Sequence, residues 1–186
     1  MASSILEQMQ SIFKEADCLY SQEEVTAAIH KMADQLTELA DARPIFLVVM
    51  NGGLIFAGQL LPCLPFPLQV DYVHASRYGT ATRGQQLRWI QTPRIPLRER
   101  AVVLVDDIYD EGATLLGVME YCLAQGARSV KTCVLVEKIH DRKARPDYRP
   151  DYCGLAVPDR FVFGYGLDYQ GYWRNAPGIY AITERP

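Results

Sequence analysis

Short apolar runs alternate with helical patterns through the middle of the chain. Residues 45–50, 101–107 and 129–138 are nearly continuous apolar runs rich in β-branched residues, a pattern typical of strands buried on both faces. Residues 54–61 and 113–125, which follow the first two runs, have the composition of helices, and proline or glycine follows each of them. Strands that alternate with helices in this way predict an α/β fold with a parallel central sheet.

Two further helices are predicted before the first of these strands, over residues 3–18 and 22–40. The second begins with Ser21 and Glu24 at the spacing of a capping box, in which each residue hydrogen-bonds the backbone of the other. Its apolar residues recur at helical intervals and are expected in the core: Ile29, Met32, Leu36 and Leu39.

Polar segments separate the remaining predicted strands. Residues 68–75 and 87–91 have strand patterns, and the polar segment 76–86 between them, rich in Gly and Thr, is long enough to be a mobile loop. The charged segment 140–151 is predicted to be a loop. The tail that follows contains short β-like runs interrupted by Gly and Pro, in which Phe163 and Tyr165 are expected in the core.

Composition narrows the class of protein. The chain has 186 residues, of which 49% are hydrophobic and 22% charged, as in one globular domain. A net charge of −3 and the lack of a Lys/Arg-rich patch argue against a nucleic-acid or membrane partner. Five scattered cysteines without a C-x-x-C pair predict buried, free thiols in a reducing compartment, and neither a disulfide framework nor a zinc site. No signal peptide pattern or membrane-length apolar run is apparent, so a cytoplasmic protein is expected.

The stretch "VVLVDDIYDEGATL" at residues 102–115 is the strongest candidate for chemistry. Its buried strand runs into four carboxylates: Asp106, Asp107, Asp110 and Glu111. Gly112 then opens a helix, whose first backbone N–H groups and dipole favour a phosphate. Carboxylates suit hydroxyl groups, divalent metals and protons, so the combination describes a site for a phosphorylated sugar. A solvated loop is the alternative, because helix N-termini favour acids in any case.

Two common phosphate-binding motifs are absent: G-x-x-x-x-G-K-[ST], and G-x-G-x-x-G after a strand. The acidic stretch closely resembles the phosphoribosyl-pyrophosphate (PRPP) motif of type I phosphoribosyltransferases. "VEK" (136–138) and "PDRFVFGYGLDYQGYWRN" (158–175), in the same order after it, are similar to the 6-oxopurine branch, which comprises the hypoxanthine-guanine phosphoribosyltransferases. The resemblance extends from about Pro44 to Thr183.

The resemblance implies the type I phosphoribosyltransferase fold. This is an α/β fold with a mostly parallel central sheet flanked by helices and a small hood from the N-terminal and C-terminal segments. The expected single domain over 1–186 has a core at about 40–140, a hood from about 1–20 and 150–186, and a flexible lid at about 76–86.

The resemblance also implies a purine salvage enzyme. It would transfer the 5-phosphoribosyl group of PRPP to N9 of hypoxanthine or guanine, giving IMP or GMP and pyrophosphate, with Mg2+ as cofactor. Carboxylates and Mg2+ suit its oxocarbenium-like transition state and its pyrophosphate leaving group. PRPP and a 6-oxopurine base would be the partners, and the assembly a homodimer or homotetramer. The alternatives are a xanthine-preferring enzyme and a non-catalytic, PRPP-binding RNA regulator.

Within the acidic stretch, the resemblance assigns Asp106 and Asp107 to the ribose hydroxyls, directly or through Mg2+. Asp110 would be the catalytic group, accepting a proton near the purine N7. The 5′-phosphate would be held by one segment: Glu111, Gly112, Ala113 and Thr114. Glu111 occupies a position where threonine is commoner. We expect its carboxylate to turn away from the phosphate, because two negative groups repel each other. The alternative is that this position modulates phosphate affinity.

The pyrophosphate would be held at two places. "MNGG" (50–53) resembles the family's pyrophosphate loop, which often contains a cis peptide bond that does not precede proline, and its backbone N–H groups at Asn51, Gly52 and Gly53 would be the donors. Asn51 replaces the lysine of many relatives. Arg174 resembles the pyrophosphate-binding arginine, and a guanidinium matches that ligand. For Gly52 and Gly53, the alternative explanation is an ordinary turn between a strand and a helix, which also uses glycine.

The purine would be bound by residues of the later segments. Lys138 would contact its 6-oxo group, Phe161 would stack on the ring, and the main chain of Val162 would read the ring edge. A surface lysine and a core aromatic are the alternatives on local pattern alone. The resemblance also assigns Asp168 to the purine-binding residues. In addition, Asp168 resembles the second magnesium ligand of the family. The implied metal ligands are therefore Asp106, Asp107 and Asp168.

The lid would begin at Ser76, Arg77 and Tyr78 and would shield the reacting centre from water. Two histidines outside the motifs, His74 and His140, are expected at strand edges and away from the site.

The aromatic residues that close the C-terminal motif are assigned to packing: Tyr169, Tyr172 and Trp173.

Overall fold

Two β-sheets and four helices organise the parts of the chain that the computed structural model describes, residues 4–77 and 87–183. The helices are α1 (Ile5–Glu15), α2 (Gln22–Leu36), α3 (Gly53–Leu60) and α4 (Ala113–Ala124), with 3-10 turns at Thr37–Ala42 and Leu61–Cys63. The strands are β1 (Asp17–Tyr20), β2 (Ile45–Met50), β3 (Gln69–Arg77), β4 (Leu87–Gln91), β5 (Ala101–Tyr109), β6 (Ser129–Lys138), β7 (Tyr152–Val157), β8 (Val162–Phe163) and β9 (Ile179–Ala181).

The larger sheet has the strand order β4-β3-β2-β5-β6-β7. All neighbouring pairs are parallel except β3 and β4. The predicted α/β fold with a mostly parallel sheet flanked by helices is therefore confirmed. Because β2 and β5 are direct neighbours, the loops that follow their carboxyl ends lie side by side.

Alternate residues of the central strands fill two cores, one on each face of this sheet. Phe46 and Val48 of β2 pack in the core that contains α2, together with Ile29, Met32 and Leu36 of that helix. The intervening residues of β2 pack in the core that contains α4: Ile45, Leu47 and Val49. Burial on both faces explains why the parallel strands are continuous apolar runs in the sequence.

Local signals define the starts of the first two helices. The predicted capping box of α2 is confirmed, since Ser21 Oγ accepts from Glu24 N and the Glu24 carboxylate accepts from Ser21 N. Ser4 and Glu7 form a second capping box at the start of α1. The α-helical part of α2 ends at Leu36, and the 3-10 turn that follows places Leu39 at the margin of the core.

The smaller sheet joins the two ends of the chain in the order β1-β9-β8. Helix α1 packs on it through Phe13, whose ring lies 4.8 Å from that of Tyr180 in β9 and 6.3 Å from that of Phe163 in β8, measured between centroids. The Phe13 ring also stacks on Trp173 at a centroid distance of 4.7 Å. Phe163 and Tyr165 are buried, as predicted. Strand β7 belongs to the large sheet, although its residues fall within the range expected for the hood. The division of the chain into core and hood stays a proposal.

Four other sequence predictions concern the end of β3, the lid, the cysteines and membrane spans. Strand β3 continues to Arg77, beyond the predicted end at residue 75. The rest of the predicted lid, with Tyr78, lies outside the described residues. All five cysteines are free thiols, as predicted, but only Cys122 and Cys133 are buried, whereas Cys18 and Cys153 are exposed. Within 4–77 and 87–183, no helix combines the length and the apolar character needed to cross a membrane.

Candidate active site

The carboxyl ends of β2 and β5 border a cavity of about 410 Å3. Most of the predicted PRPP-site residues line it: Asn51, Gly52, Asp106, Asp107, Asp110, Glu111, Gly112, Ala113, Thr114, Asp168 and Arg174. They come from four separate parts of the chain, which the sheet topology brings together. A larger cavity of about 830 Å3 lies at the amino ends of the strands and contains none of these residues.

Asp106 and Asp107, near the end of β5, form a buried acidic pair, each 8% exposed. Burial raises the pKa of Asp106 well above its usual range, and the neighbouring charge of Asp107 adds to this effect. Burial also raises the pKa of Asp107, although the charge of Arg174 opposes the change. Two adjacent buried carboxylates are costly, so this pair is suited to binding a cation or hydroxyl donors.

The start of α4 forms the opposite wall. Gly112 precedes the helix with a left-handed φ of 82°, and no side chain of the described residues caps this helix end. A Cβ atom at Gly112 would lie 2.0 Å from a ring carbon of the buried Tyr109, so only glycine fits here. The first N–H groups of α4 lack partners within the helix and are available to an anion in the cavity.

The loop after β2 packs tightly against the acidic pair. The peptide bond between Met50 and Asn51 is cis. A Cβ atom at Gly52 would lie 2.1 Å from Asp107 Oδ2, and one at Gly53 would lie 2.7 Å from the Val105 carbonyl oxygen. Both glycines are therefore required for close approach of this loop to β5, and Gly53 lies behind the cavity wall.

Arg174 closes the cavity from the C-terminal segment. Its Nη1 donates to the Gly166 carbonyl at 2.6 Å, and its Nη2 forms an ion pair with Asp168. Asp168 also accepts a hydrogen bond from the Gly171 amide at 2.7 Å. These bonds hold both side chains at the site while the guanidinium keeps further N–H donors for a ligand.

Asp110, just beyond β5, is held by two side chains from the segment that ends β6. Lys138 Nζ donates to its Oδ2 at 2.8 Å, and His140 Nε2 lies 2.6 Å from its Oδ1. Burial alone would raise the pKa of Asp110. The hydrogen bonds from Lys138 and His140 outweigh burial, so that this pKa is lowered. The carboxyl group is thus ionised at neutral pH and can accept a proton.

Lys143 connects the same two segments at the backbone. Its ammonium group donates to three carbonyl oxygens, those of Tyr109 at 3.1 Å, Asp110 at 2.8 Å and Lys138 at 2.7 Å. The group also lies 4.1 Å from the centroid of the Tyr109 ring. Burial lowers the pKa of Lys143. This lysine therefore fixes the relative position of the loops that carry Asp110 and Lys138.

Of the four predicted purine-binding residues, Asp168 lines the cavity, whereas Lys138, Phe161 and Val162 do not. Phe161 is 53% exposed, and its ring meets that of Tyr169 edge-on at a centroid distance of 5.4 Å. Val162 is buried in β8. The exposure of Phe161 argues against the core alternative and leaves part of its ring accessible to a ligand.

Two predictions about individual residues are wrong. His140 was expected at a strand edge away from the site, but it contacts Asp110, because the parallel pairing of β5 with β6 aligns the loops that follow them. Tyr172 was assigned to packing but is 41% exposed. Trp173 does pack, since it stacks on Phe13 and its Nε1 donates to the Met9 carbonyl.

Three further points concern Glu111, the lid and metal binding. Glu111 is exposed at the cavity rim, and the orientation of its carboxylate toward a ligand stays a prediction. Ser76 and Arg77 end β3 next to Ala75, which lines the cavity. Among the described residues, no group of three or more His, Cys, Asp or Glu side chains could hold a metal ion.

Comparisons with known proteins agree with this arrangement. The family model described as "Phosphoribosyl transferase domain" matches residues 15–170. Hypoxanthine-guanine-xanthine phosphoribosyltransferase of Tritrichomonas foetus is 34% identical over 168 residues, which cover 89% of this chain and 91% of that protein. Hypoxanthine-guanine phosphoribosyltransferase of Bacillus subtilis is 34% identical over 163 residues, which cover 87% and 89%.

Solved structures give the same result. A hypoxanthine-guanine-xanthine phosphoribosyltransferase structure has a TM-score of 0.83 at 31% identity, covering 92% of this chain and 99% of the other. A hypoxanthine phosphoribosyltransferase from Staphylococcus aureus has a TM-score of 0.85 at 25% identity, covering 97% of both chains.

Proposed function

The chain belongs to the phosphoribosyl transferase family, within its hypoxanthine-guanine branch, and from this premise we propose how its residues divide the reaction. It is a pentosyltransferase of purine salvage. The enzyme transfers the 5-phosphoribosyl group of PRPP to N9 of hypoxanthine or guanine and releases pyrophosphate. The observation that supports this function best is the cavity in which three features meet: the acidic strand end, the start of α4, which no described side chain caps, and Arg174.

The two anionic ends of PRPP would bind on opposite sides of the cavity. The amides of residues 111–114 and the Thr114 hydroxyl would hold the 5′-phosphate at the N-terminus of α4. The backbone N–H groups of residues 51–53 and the guanidinium of Arg174 would hold the pyrophosphate. The ribose would then lie between them, over Asp106 and Asp107, whose oxygens would accept hydrogen bonds from its hydroxyls.

The carboxylate pair also fits a Mg2+ ion. Asp106 and Asp107 are buried, adjacent hard oxygen donors, and the cavity contains more carboxylates than cations. Mg2+ typically binds one or two carboxylates together with substrate oxygens and water, so a cage of three protein ligands is not required. Together with Asp168, which also lines the cavity, these residues would hold Mg2+. The bound Mg2+ would neutralise the negative charge of the departing pyrophosphate.

Asp110 and Lys138 would select and activate the base. As N9 forms its bond to C1 of the ribose and pyrophosphate leaves with its bonding electrons, the proton on the purine ring passes to a carboxylate oxygen of Asp110. Lys138 has only N–H donors, so it matches a 6-oxo group and opposes the 6-amino group of adenine. Phe161 offers the accessible part of its ring for stacking on the base.

A spectrophotometric assay with PRPP, Mg2+ and each of four bases tests this function. Hypoxanthine and guanine should give nucleotides, and adenine should not. Xanthine is a separate arm because the relative from Tritrichomonas foetus is named for all three oxopurines. The absence of nucleotide from every 6-oxopurine would refute the proposal, and turnover of adenine would refute the role of Lys138.

A further inference from the structure

His140 has a buried side chain that contacts the carboxylate of Asp110 at the candidate active site. Its side chain is 3% exposed, whereas that of Asp110 is 41% exposed. His140 Nε2 contacts Oδ1 of the carboxylate, and Lys138 Nζ contacts Oδ2. Each carboxylate oxygen therefore has one protein donor and keeps lone-pair capacity for a ligand.

The hydrogen bonds of the imidazole ring indicate which nitrogen carries the proton in the neutral ring. The backbone N–H of Arg142 donates to His140 Nδ1 at 3.0 Å, so Nδ1 must present a lone pair. The proton of the neutral ring then lies on Nε2 and points at Asp110. The Arg142 guanidinium makes two hydrogen bonds to Asp159, at 2.6 Å and 2.8 Å, which restrain the turn that carries this N–H.

We propose that His140 is a positioning residue, which holds the carboxylate of Asp110 in the orientation needed to take the purine proton. This inference rests on the proposed function. Lys138 has three N–H donors and serves the purine oxygen as well, whereas His140 has one donor, committed to Asp110. With His140 at one carboxylate oxygen and Lys138 at the other, the carboxylate cannot rotate freely, and each oxygen keeps lone-pair capacity for the purine proton.

Steady-state kinetics of His140→Ala and His140→Gln test the proposal, with His30→Ala, an exposed histidine of α2, as the matched control. The alanine variant should lower kcat about 10- to 100-fold, the range found when a supporting hydrogen bond to a site residue is lost. Its KM for PRPP should change less than about threefold, because the acidic pair and α4 are untouched. Glutamine, which can present an amide N–H to Asp110, should recover most of the loss.

A double-mutant cycle separates positioning from a general structural role. In an Asp110→Asn background, His140→Ala should cause little further loss of kcat, because the residue acts through Asp110. An equal loss in both backgrounds, or a raised KM for PRPP with unchanged kcat, would overturn the proposal. Failure of the wild-type protein to form nucleotide would instead refute the proposed function.

Nitrogen-15 NMR of the wild-type imidazole tests the same idea if a variant fails to fold. The spectrum should show a protonated Nε2 and an unprotonated Nδ1 for His140 at neutral pH. A protonated Nδ1 would contradict the fixed donor direction and overturn the proposal.

Discussion

Replacement of Lys143 by methionine tests whether one buried ammonium group holds the two halves of the site together. Methionine keeps the approximate length and the packing of the side chain but removes all N–H donors. The carbonyls of Tyr109, Asp110 and Lys138 would each lose a charge-assisted hydrogen bond. We expect lower stability and a lower kcat, because the backbones that carry Asp110 and Lys138 are no longer tied to each other.

The size of the effect follows from these contacts. Each hydrogen bond to a charged group is worth about 1.5–3 kcal/mol, so the gross loss is at least about 4 kcal/mol. Removal of a buried charge returns roughly 2 kcal/mol of this, since desolvation of the ammonium is no longer required. Glu137, 3.6 Å from Lys143, still has Arg149 as a partner. The net loss is therefore at least about 2 kcal/mol, which lowers Tm by at least about 4 °C in a chain of this size.

Thermal unfolding followed by circular dichroism measures this change, and Lys131→Met is the matched control. Lys131 lies within β6, in the same part of the chain as Lys143. It makes an exposed ion pair with Asp151, and such pairs are worth less than about 1 kcal/mol. A Tm of Lys143→Met within about 2 °C of the wild type would refute the argument. An equal fall in Tm for both variants would show that loss of any lysine in this region has the same effect.

Two further predictions concern the acidic loop. The pKa of Asp110 is lowered in the folded protein, so the unfolded chain binds a proton at this carboxylate more readily as the pH falls. The stabilising effect of the ionised Asp110 is therefore present above about pH 4 and is lost at lower pH. The difference in Tm between wild type and Asp110→Asn should therefore be constant from pH 5 to 7 and shrink below pH 4; a difference that grows there would contradict this sign. Gly112→Ala should raise the KM for PRPP at least about tenfold, because the new methyl group meets the Tyr109 ring and φ is left-handed. Gly58→Ala, whose methyl group meets nothing within 4 Å in α3, should leave kinetics unchanged and raise Tm slightly, and an equal KM for both variants would refute the steric explanation.

Features that depend on neighbours in sequence could be predicted. The capping box at Ser21 needs only Glu24, three residues later, and both hydrogen bonds form. The apolar run of β2 predicted a strand buried on both faces for the same local reason. The acidic stretch could also be identified from the sequence, because the strand end, the glycine and the helix start are contiguous along the chain.

Features that depend on strand pairing could not be predicted. Nothing within the segment 140–151 shows that His140 reaches Asp110, because that contact follows from the pairing of Tyr109 with Glu137 across β5 and β6. Lys143 has the sequence context of a solvated lysine, between charged residues of a loop. It is buried because three carbonyls converge on one point, and such convergence has no signature in a single sequence.

The separation of the carboxylates explains how an acid-rich strand end can coexist with a phosphate site. Asp107 faces the charge of Arg174, and Asp110 is held by Lys138 and His140 on the other side of the loop. Each acid is thus oriented by its own partners, and α4 begins beyond them with its N–H groups uncapped by any described side chain. Glu111 is the acidic residue that directly precedes Gly112 at this helix start. Replacement of Glu111 by threonine should therefore strengthen phosphate binding, which would be measured as a lower KM for PRPP with kcat unchanged.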